Sequence, residues 1–107
     1  MNPAPHPIVL LTALPDLAAA EKMADAIVSA KLAACVNIFP DMRSVYFWEN
    51  KIVRENEVKL FVKTSSAVAP EAIAFIKAGH PYSVPEITTI HADMHGEYWV
   101  WLQGYVG

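Results

Sequence analysis

The residues of this chain best suited to bind a metal ion are its histidines and its single cysteine. The sequence of 107 residues contains four histidines and one cysteine, Cys35. His80 stands between Gly79 and Pro81, where a helix is predicted to end. Imidazole and thiolate groups both bind transition-metal ions. His80 and Cys35 are therefore candidate metal ligands, and His80 would need partners, such as Glu86 or the same residues of a neighbouring subunit.

A plain structural role is open to each of these residues as well. His80 would bond loop carbonyls while staying neutral, and Cys35, which follows Ala33 and Ala34, would pack as a small apolar side chain. His91 and His95 are spaced as metal ligands on a helix would be, but a turn is expected between them. His6 lies in an N-terminal arm, where only incidental metal binding is expected.

A second set of residues is aromatic or charged and is predicted to line a ligand cleft. We expect them to converge where a long hairpin of one subunit meets a loop of the next, because ligand sites favour such boundaries. The alternative is that they only pack in the interface between subunits and bind no ligand. The set consists of Tyr46, Trp48, Lys63, Tyr82, Glu86 and Tyr98.

The sequence shows neither a glycine-rich phosphate loop nor the spacing of a catalytic triad. No enzymatic activity is therefore predicted. A cleft enzyme with Glu86 and Tyr82 as acid and base is a further hypothesis, which the lack of a recognisable activated pair disfavours.

Composition limits the classes of protein to which the chain can belong. Apolar residues make up 54% and charged residues 18% of its 107 positions, which favours one globular domain with further surface buried between subunits. The net charge of −3 and the absence of a basic run predict no nucleic-acid partner. No apolar run approaches the roughly 20 residues of a membrane span. No Lys or Arg precedes the apolar run at 8–11, so no signal peptide is predicted and a cytoplasmic location is expected.

The elements that must position these residues centre on a long hairpin over residues 32–64. Its second arm alternates, with Val58, Leu60 and Val62 on one face, as in a half-buried strand. The turn is placed at 49–51. Pro40 and Asp41 interrupt the first arm and predict a bulge with a change of face.

The remaining patterns complete the order β-α-β-β-α-β plus a C-terminal helix. They predict a loose arm over residues 1–7 and one domain over 8–107. They also predict two further strands, at 8–13 and 86–92. Three helices are predicted: one from Leu17 capped by Asp16, one with Pro70 in its first turn and Gly79 at C′, and one at 97–103. Two split βαβ halves make an α+β, ferredoxin-like sandwich with both main helices on one face of the sheet. The other face needs a neighbour, and a trimer is one closed solution.

Five segments in register resemble the CutA, or divalent-cation tolerance, family. They are 31–37 (KLAACVN), 44–49 (SVYFWE), 57–64 (EVKLFVKT), 80–86 (HPYSVPE) and 98–102 (YWVWL). The resemblance implies a PII-like homotrimer with hairpins that extend across neighbours. It also implies a role in the response to metal ions, weak binding of copper or another divalent metal with no obligatory cofactor, and no established reaction. An alternative function is that of a PII-like regulator, which binds a small metabolite in the inter-subunit cleft and signals to a protein partner.

The copper site described for that family is only partly present in this sequence. It uses a cysteine late in the first strand and a His-His pair before Pro-Tyr. This chain has Leu11 at the first position and Gly79-His80 at the pair, so that one ligand of three remains. Soft metal ions are selected by sulfur ligands, and the resemblance therefore implies weaker copper binding here.

Overall fold

In a computed structural model, which describes residues 3–106, the chain forms one antiparallel sheet and three helices. The elements are β1 (Pro7–Leu14), α1 (Leu17–Ser29), β2 (Cys35–Trp48), β3 (Lys51–Ser65), α2 (Ala69–Gly79), β4 (Thr88–His91) and α3 (Gly96–Val106). The strand order is β2-β3-β1-β4, and each neighbouring pair is antiparallel. The predicted α+β, ferredoxin-like architecture is confirmed. Residues 1, 2 and 107 of the predicted arm and domain lie outside the described residues.

The core lies between the sheet and the helices α1 and α2. Under these helices one face of the sheet is buried, and its side chains there include Ile8, Leu10, Val58, Leu60 and Val62. The alternation predicted for β3 is therefore confirmed. Burial of such side chains contributes roughly 1.5–3 kcal/mol each relative to exposure. We call this surface the helix-covered face and the opposite surface the open face.

Helix α1 begins where its capping residue was predicted. The Asp16 carboxylate accepts a hydrogen bond from the Ala19 backbone N–H at 2.8 Å, which satisfies a donor that the first helical turn leaves unpaired. Ala20, Met23 and Ile27 form the buried stripe that packs on the sheet.

The β2–β3 hairpin turns at Glu49 and Asn50, which both have positive φ angles, 49° and 64°. The predicted bulge is confirmed: Pro40 and Asp41 are inserted between the Phe39–Lys59 and Met42–Glu57 pairs, where β3 has one residue. The insertion changes the parity of β2. Odd-numbered residues of β2 lie on the open face before the bulge, and even-numbered residues lie there after it.

Several predicted boundaries were wrong. Gly79 is the last residue of α2 rather than a left-handed C′ residue, and the extended His80 caps the helix. Strand β4 is shorter than the predicted 86–92, since its pairs with β1 run only from Leu11–Thr88 to Ile8–His91. Helix α3 runs to Val106 through Gly104, since Leu102 and Val106 anchor it against Ala34.

The N-terminal segment is part of the sheet from Pro7 onward. His6, which was placed in a loose arm, donates its backbone N–H to Ser66 Oγ, and its carbonyl accepts from the Ser66 N–H. Among residues 3–106, no helix has the length and hydropathy needed to cross a membrane.

Candidate ligand cleft and the predicted metal ligands

A cleft of ≈ 750 Å³ lies between the hairpin and the loop that follows α2. This volume is within the range of small-molecule sites. We call it the hairpin cleft. The hairpin contributes Ser44, Tyr46, Trp48, Glu49, Lys51, Val53, Glu55 and Glu57, and the loop contributes Pro81, Tyr82, Ser83, Val84 and Glu86.

The strand register explains why these hairpin residues share a wall. Trp48 pairs with Lys51, Tyr46 with Val53, and Ser44 with Glu55, so that alternate residues of both strands face the same side. The bulge places them on the open face. Without it, Tyr46 and Trp48 would lie on the opposite side of the hairpin.

His80 fixes the loop that forms the opposite wall. Its Nδ1 accepts a hydrogen bond from the Tyr82 backbone N–H at 3.1 Å, so the ring proton must be on Nε2, which donates to the Ala13 carbonyl at 2.9 Å. Nε2 also lies 3.1 Å from Thr12 Oγ1. Desolvation lowers the pKa of His80, against the raising effects of the Ala13 bond and the Glu57 charge. His80 is thus a neutral ring with both nitrogens engaged.

Glu57 is the most buried carboxylate of the cleft, with 8% of its surface exposed. The Tyr82 hydroxyl donates to its Oε2 at 2.8 Å. Desolvation and that hydrogen bond raise the pKa of Tyr82. Desolvation and a hydrogen bond to Glu55 likewise raise the pKa of Tyr46. Both tyrosines therefore stay protonated near neutral pH and act as hydrogen-bond donors.

The charges of the cleft are mostly negative. Its lining includes the carboxylates of Glu49, Glu55, Glu57 and Glu86, against one lysine, Lys51. Glu86 is neutralised by Lys59, whose Nζ donates to Oε1 at 2.6 Å, while Thr88 donates to Oε2 at 2.8 Å. Excess negative charge remains along the hairpin wall, beside the aromatic faces of Tyr46 and Trp48.

The predicted cleft residues fall into two groups. Tyr46, Trp48, Tyr82 and Glu86 line the hairpin cleft. They meet within one chain, whereas the sequence placed the hairpin against the loop of a neighbouring subunit. Lys63 and Tyr98 do not line this cleft of the single chain, and their place in a cleft between subunits stays a prediction.

Lys63 and Tyr98 belong instead to a cluster at the other end of the open face. Lys63 Nζ lies 5.7 Å from the centroid of the Tyr98 ring. Cys35 pairs with Lys63 across the strands, and desolvation, followed by the interaction with Cys35, raises the pKa of Tyr98. The folded chain brings these residues to the sheet end that α3 covers.

The two predicted metal ligands are far apart in one chain. Cys35 is level with Val9 in the sheet, whereas His80 bonds Ala13, which is about 13 Å further along β1 at the usual strand rise. Within residues 3–106, no three His, Cys, Asp or Glu side chains are placed to hold one metal ion. Both ring nitrogens of His80 are hydrogen-bonded within this chain, so that a metal ion bound there would have to displace one of these bonds.

Sequence reasoning missed Glu55 and Glu57, the carboxylates that give the cleft its charge. The signal was present in the hairpin itself. Counting outward from the turn at Glu49 and Asn50 would have placed them on the same face as Tyr46 and Trp48.

Comparison with known proteins gives the same family from sequence and from structure. The family model described as CutA1 divalent ion tolerance protein matches residues 8–104. The divalent-cation tolerance protein CutA of Thermus thermophilus is 40% identical over 100 residues, which cover 92% of this chain and 97% of that protein.

Solved structures of similar proteins belong to the same family. CutA from Xylella fastidiosa superposes with a TM-score of 0.91 at 31% identity and covers 94% of this chain and 98% of its own. A protein of Archaeoglobus fulgidus that is called a periplasmic divalent cation tolerance protein has a TM-score of 0.89 at 34% identity, with 94% and 99% covered.

Proposed function

Because the chain belongs to the CutA1 divalent ion tolerance protein family, we propose that it acts as a homotrimeric binding protein whose ligand occupies the hairpin cleft. One observation carries the choice of site. The hairpin cleft is large enough for a small molecule and contains a nearly buried carboxylate, Glu57. The predicted metal ligands, in contrast, are dispersed along the sheet.

The ligand class follows from the chemistry of the walls. Carboxylates beside aromatic rings favour a cation, since the charge is neutralised by the acid and attracted by the faces of the rings. Glu55 and Glu57 supply the charge, and Tyr46 and Trp48 supply the rings. We propose a small organic cation, such as a guanidinium or ammonium compound, as the ligand.

Trimer formation is supported by apolar surface that a single chain leaves exposed. On the hairpin side opposite the cleft, Phe47 is 70% and Ile52 62% exposed, and Val45 lies beside them. Exposed apolar patches of this kind mark protein interfaces. We propose that a closed threefold assembly covers them, as in PII-like trimers.

The same geometry supports a regulatory role within that assembly. A ligand in the hairpin cleft would contact Trp48 and Lys51, which flank the turn. Occupancy would then alter the hairpin tip that a partner protein meets. Such a protein needs no enzymatic reaction, and the two protonated tyrosines offer no base near neutral pH.

We propose that the protein takes part in the response to metal ions and that no metal ion is its obligatory cofactor. Copper binding through His80 and Cys35 stays a prediction that requires ligands from more than one subunit. The proposed location is the cytoplasm, on the grounds of composition and the single cysteine; the periplasmic description belongs to the Archaeoglobus protein.

Calorimetric titration with agmatine, which carries a guanidinium and an amine, tests the ligand class. Glutarate, a dianion of similar length, is the matched probe of opposite charge. We expect agmatine to bind and glutarate not to bind. Glu57→Gln should weaken agmatine binding about tenfold, because a charged hydrogen bond contributes roughly 1.5–3 kcal/mol, while Glu21→Gln on α1 should not change it. Glutarate binding, or equal agmatine affinity in Glu57→Gln, would contradict the proposal.

Parallel titrations with Cu(II) and Zn(II) test the metal alternative, with His80→Ala and Cys35→Ala as variants. Loss of copper binding in both variants would support a site shared between subunits. Light scattering at micromolar concentration tests the assembly separately, and a monomer would exclude the trimer whatever the ligand is.

A further inference from the structure

Two histidine rings meet at the edge of the sheet formed by β1 and β4. His6 Nε2 and His91 Nδ1 are 2.9 Å apart, and the ring centroids are 5.1 Å apart. His91 is the last residue of β4 and pairs with Ile8 of β1. His6 lies two positions before Ile8 in the chain. This pair has no part in the hairpin cleft, and the sequence did not predict that His6 and His91 meet.

Backbone hydrogen bonds hold both residues in place. His6 exchanges two bonds with Ser66: its N–H donates to Oγ at 2.9 Å, and its carbonyl accepts from the Ser66 N–H at 2.8 Å. On the other side, the Ala92 N–H donates to the Pro7 carbonyl at 3.1 Å. The fold therefore holds the two imidazoles close together, and a metal ion that binds them does not have to order the backbone first.

The spacing of the facing nitrogens is close to that of a chelate. At metal–nitrogen distances of about 2.0–2.1 Å, two ligand nitrogens are about 2.9 Å apart at a right angle and about 3.4 Å apart in a tetrahedron. A metal ion at this distance from both nitrogens would lie to one side of the line that joins them, so both rings would have to turn toward it while their nitrogens move apart by at most about half an ångström. In the neutral pair one ring donates and the other accepts. The donor ring would move its proton to its outer nitrogen, so that the pair loses no net proton.

We propose that His6 and His91 form a surface chelate for a divalent transition-metal ion, with Cu(II) as the preferred ion. Imidazole nitrogens suit Cu(II), Ni(II) and Zn(II), and affinity follows the order that places Cu(II) highest. A right-angle pair also matches the tetragonal geometry of Cu(II) better than the tetrahedral geometry of Zn(II).

The proposed site has two protein ligands, and water completes the coordination. No third His, Cys, Asp or Glu of the described residues is placed to join it. We therefore expect exchangeable rather than buried copper. Bound metal would also tie the segment before β1 to β4, which stabilises the folded chain in proportion to occupancy.

Calorimetric titration of the full chain with Cu(II), in a buffer that does not bind copper, tests the site. We expect one Cu(II) per chain at this site, with affinity at least about tenfold lower in His6→Ala and in His91→Ala, because each variant removes one arm of a chelate. His95→Ala is the matched control, since His95 is exposed and near β4 but outside the pair. Affinities within twofold of the parent in both pair variants, or an equal loss in His95→Ala, would overturn the proposal.

Electron paramagnetic resonance distinguishes lost ligation from lost folding. The parent should show nitrogen couplings from two imidazoles, and each single variant should show one fewer. If His91→Ala unfolds the edge of the sheet, His6→Ala still decides, because it leaves β4 intact. Tighter binding of Zn(II) than of Cu(II) would contradict the right-angle geometry.

Discussion

The inner and outer halves of the β2–β3 hairpin follow the same two strands, yet they differ in what covers them. In the inner half, before the bulge at Pro40 and Asp41, Leu60 and Val62 are buried under the helices. In the outer half, beyond it, Phe47 and Ile52 are exposed although their strands remain paired. Strand pairing alone therefore extends the sheet beyond its core. We infer that the inner half provides stability and the outer half provides binding surface.

The largest expected effect is the loss of a buried side chain of the inner half. Leu60→Ala removes a fully buried residue and should reduce the free energy of unfolding by about 2–5 kcal/mol. Leu17→Ala, at an exposed position of α1, should change it by less than about 0.5 kcal/mol. Urea unfolding at one fixed protein concentration measures both. Equal losses would show that burial in one chain does not determine stability.

A charge on the outer half should affect assembly rather than folding. Phe47→Glu places a carboxylate in the proposed subunit contact and should weaken the trimer by about 2 kcal/mol or more. Light scattering should then show smaller species, while the far-ultraviolet circular dichroism of the sheet is kept. Phe47→Leu is the matched control and should remain trimeric. An unchanged trimer in Phe47→Glu would place the interface elsewhere.

The pH dependence of stability tests His80, which fixes the loop that faces the outer half of the hairpin. Its pKa in the folded chain lies below the ordinary value of 6.5 because of desolvation. As the pH falls below about 6.5, the unfolded chain therefore binds this proton first. The contribution of the neutral ring is complete above that pH and is lost as the pH falls through the folded-state pKa.

His80→Gln removes this titration while keeping a side chain that can donate and accept. Stability measured by urea unfolding between about pH 5 and pH 7.5 should fall less steeply in the variant than in the parent. Parallel curves would mean that His80 titrates alike in the folded and unfolded chain.

The smallest expected effect is at the tip of the hairpin. Glu49 and Asn50 both have positive φ, and glycine at the second position favours such a turn. Asn50→Gly should therefore stabilise the protein by at most about 1 kcal/mol. Thermal unfolding measures the change, and Asn50→Val is the opposite control. A loss of stability in Asn50→Gly would show that the turn is set by contacts between subunits.

Features that depend on local pattern could be predicted from the sequence. The alternation in β3, the capping by Asp16 and the bulge at Pro40 and Asp41 were each encoded within a few residues. The order of the elements followed from them. The extent of α3 did not, because Gly104 weakens the helix locally and only packing of Leu102 and Val106 extends it.

The site was harder to predict, since it depends on contacts between distant segments. The engagement of His80 requires the positions of Ala13 and the Tyr82 backbone, and the pairing of His6 with His91 spans the chain. Lys63 is a residue type that suits a ligand cleft, but its position in β3 places it beside Cys35. Composition suggested which residues could bind, and only the register showed which ones meet.

The most direct test of the central claim follows the three tryptophan indoles by nuclear magnetic resonance during titration with agmatine. Trp48 lines the hairpin cleft, whereas Trp99 and Trp101 lie on α3. We predict that the Trp48 indole N–H resonance shifts with saturation while the other two stay in place. Saturable shifts at Trp99 or Trp101 with Trp48 unmoved would contradict a ligand site in the outer half of the hairpin.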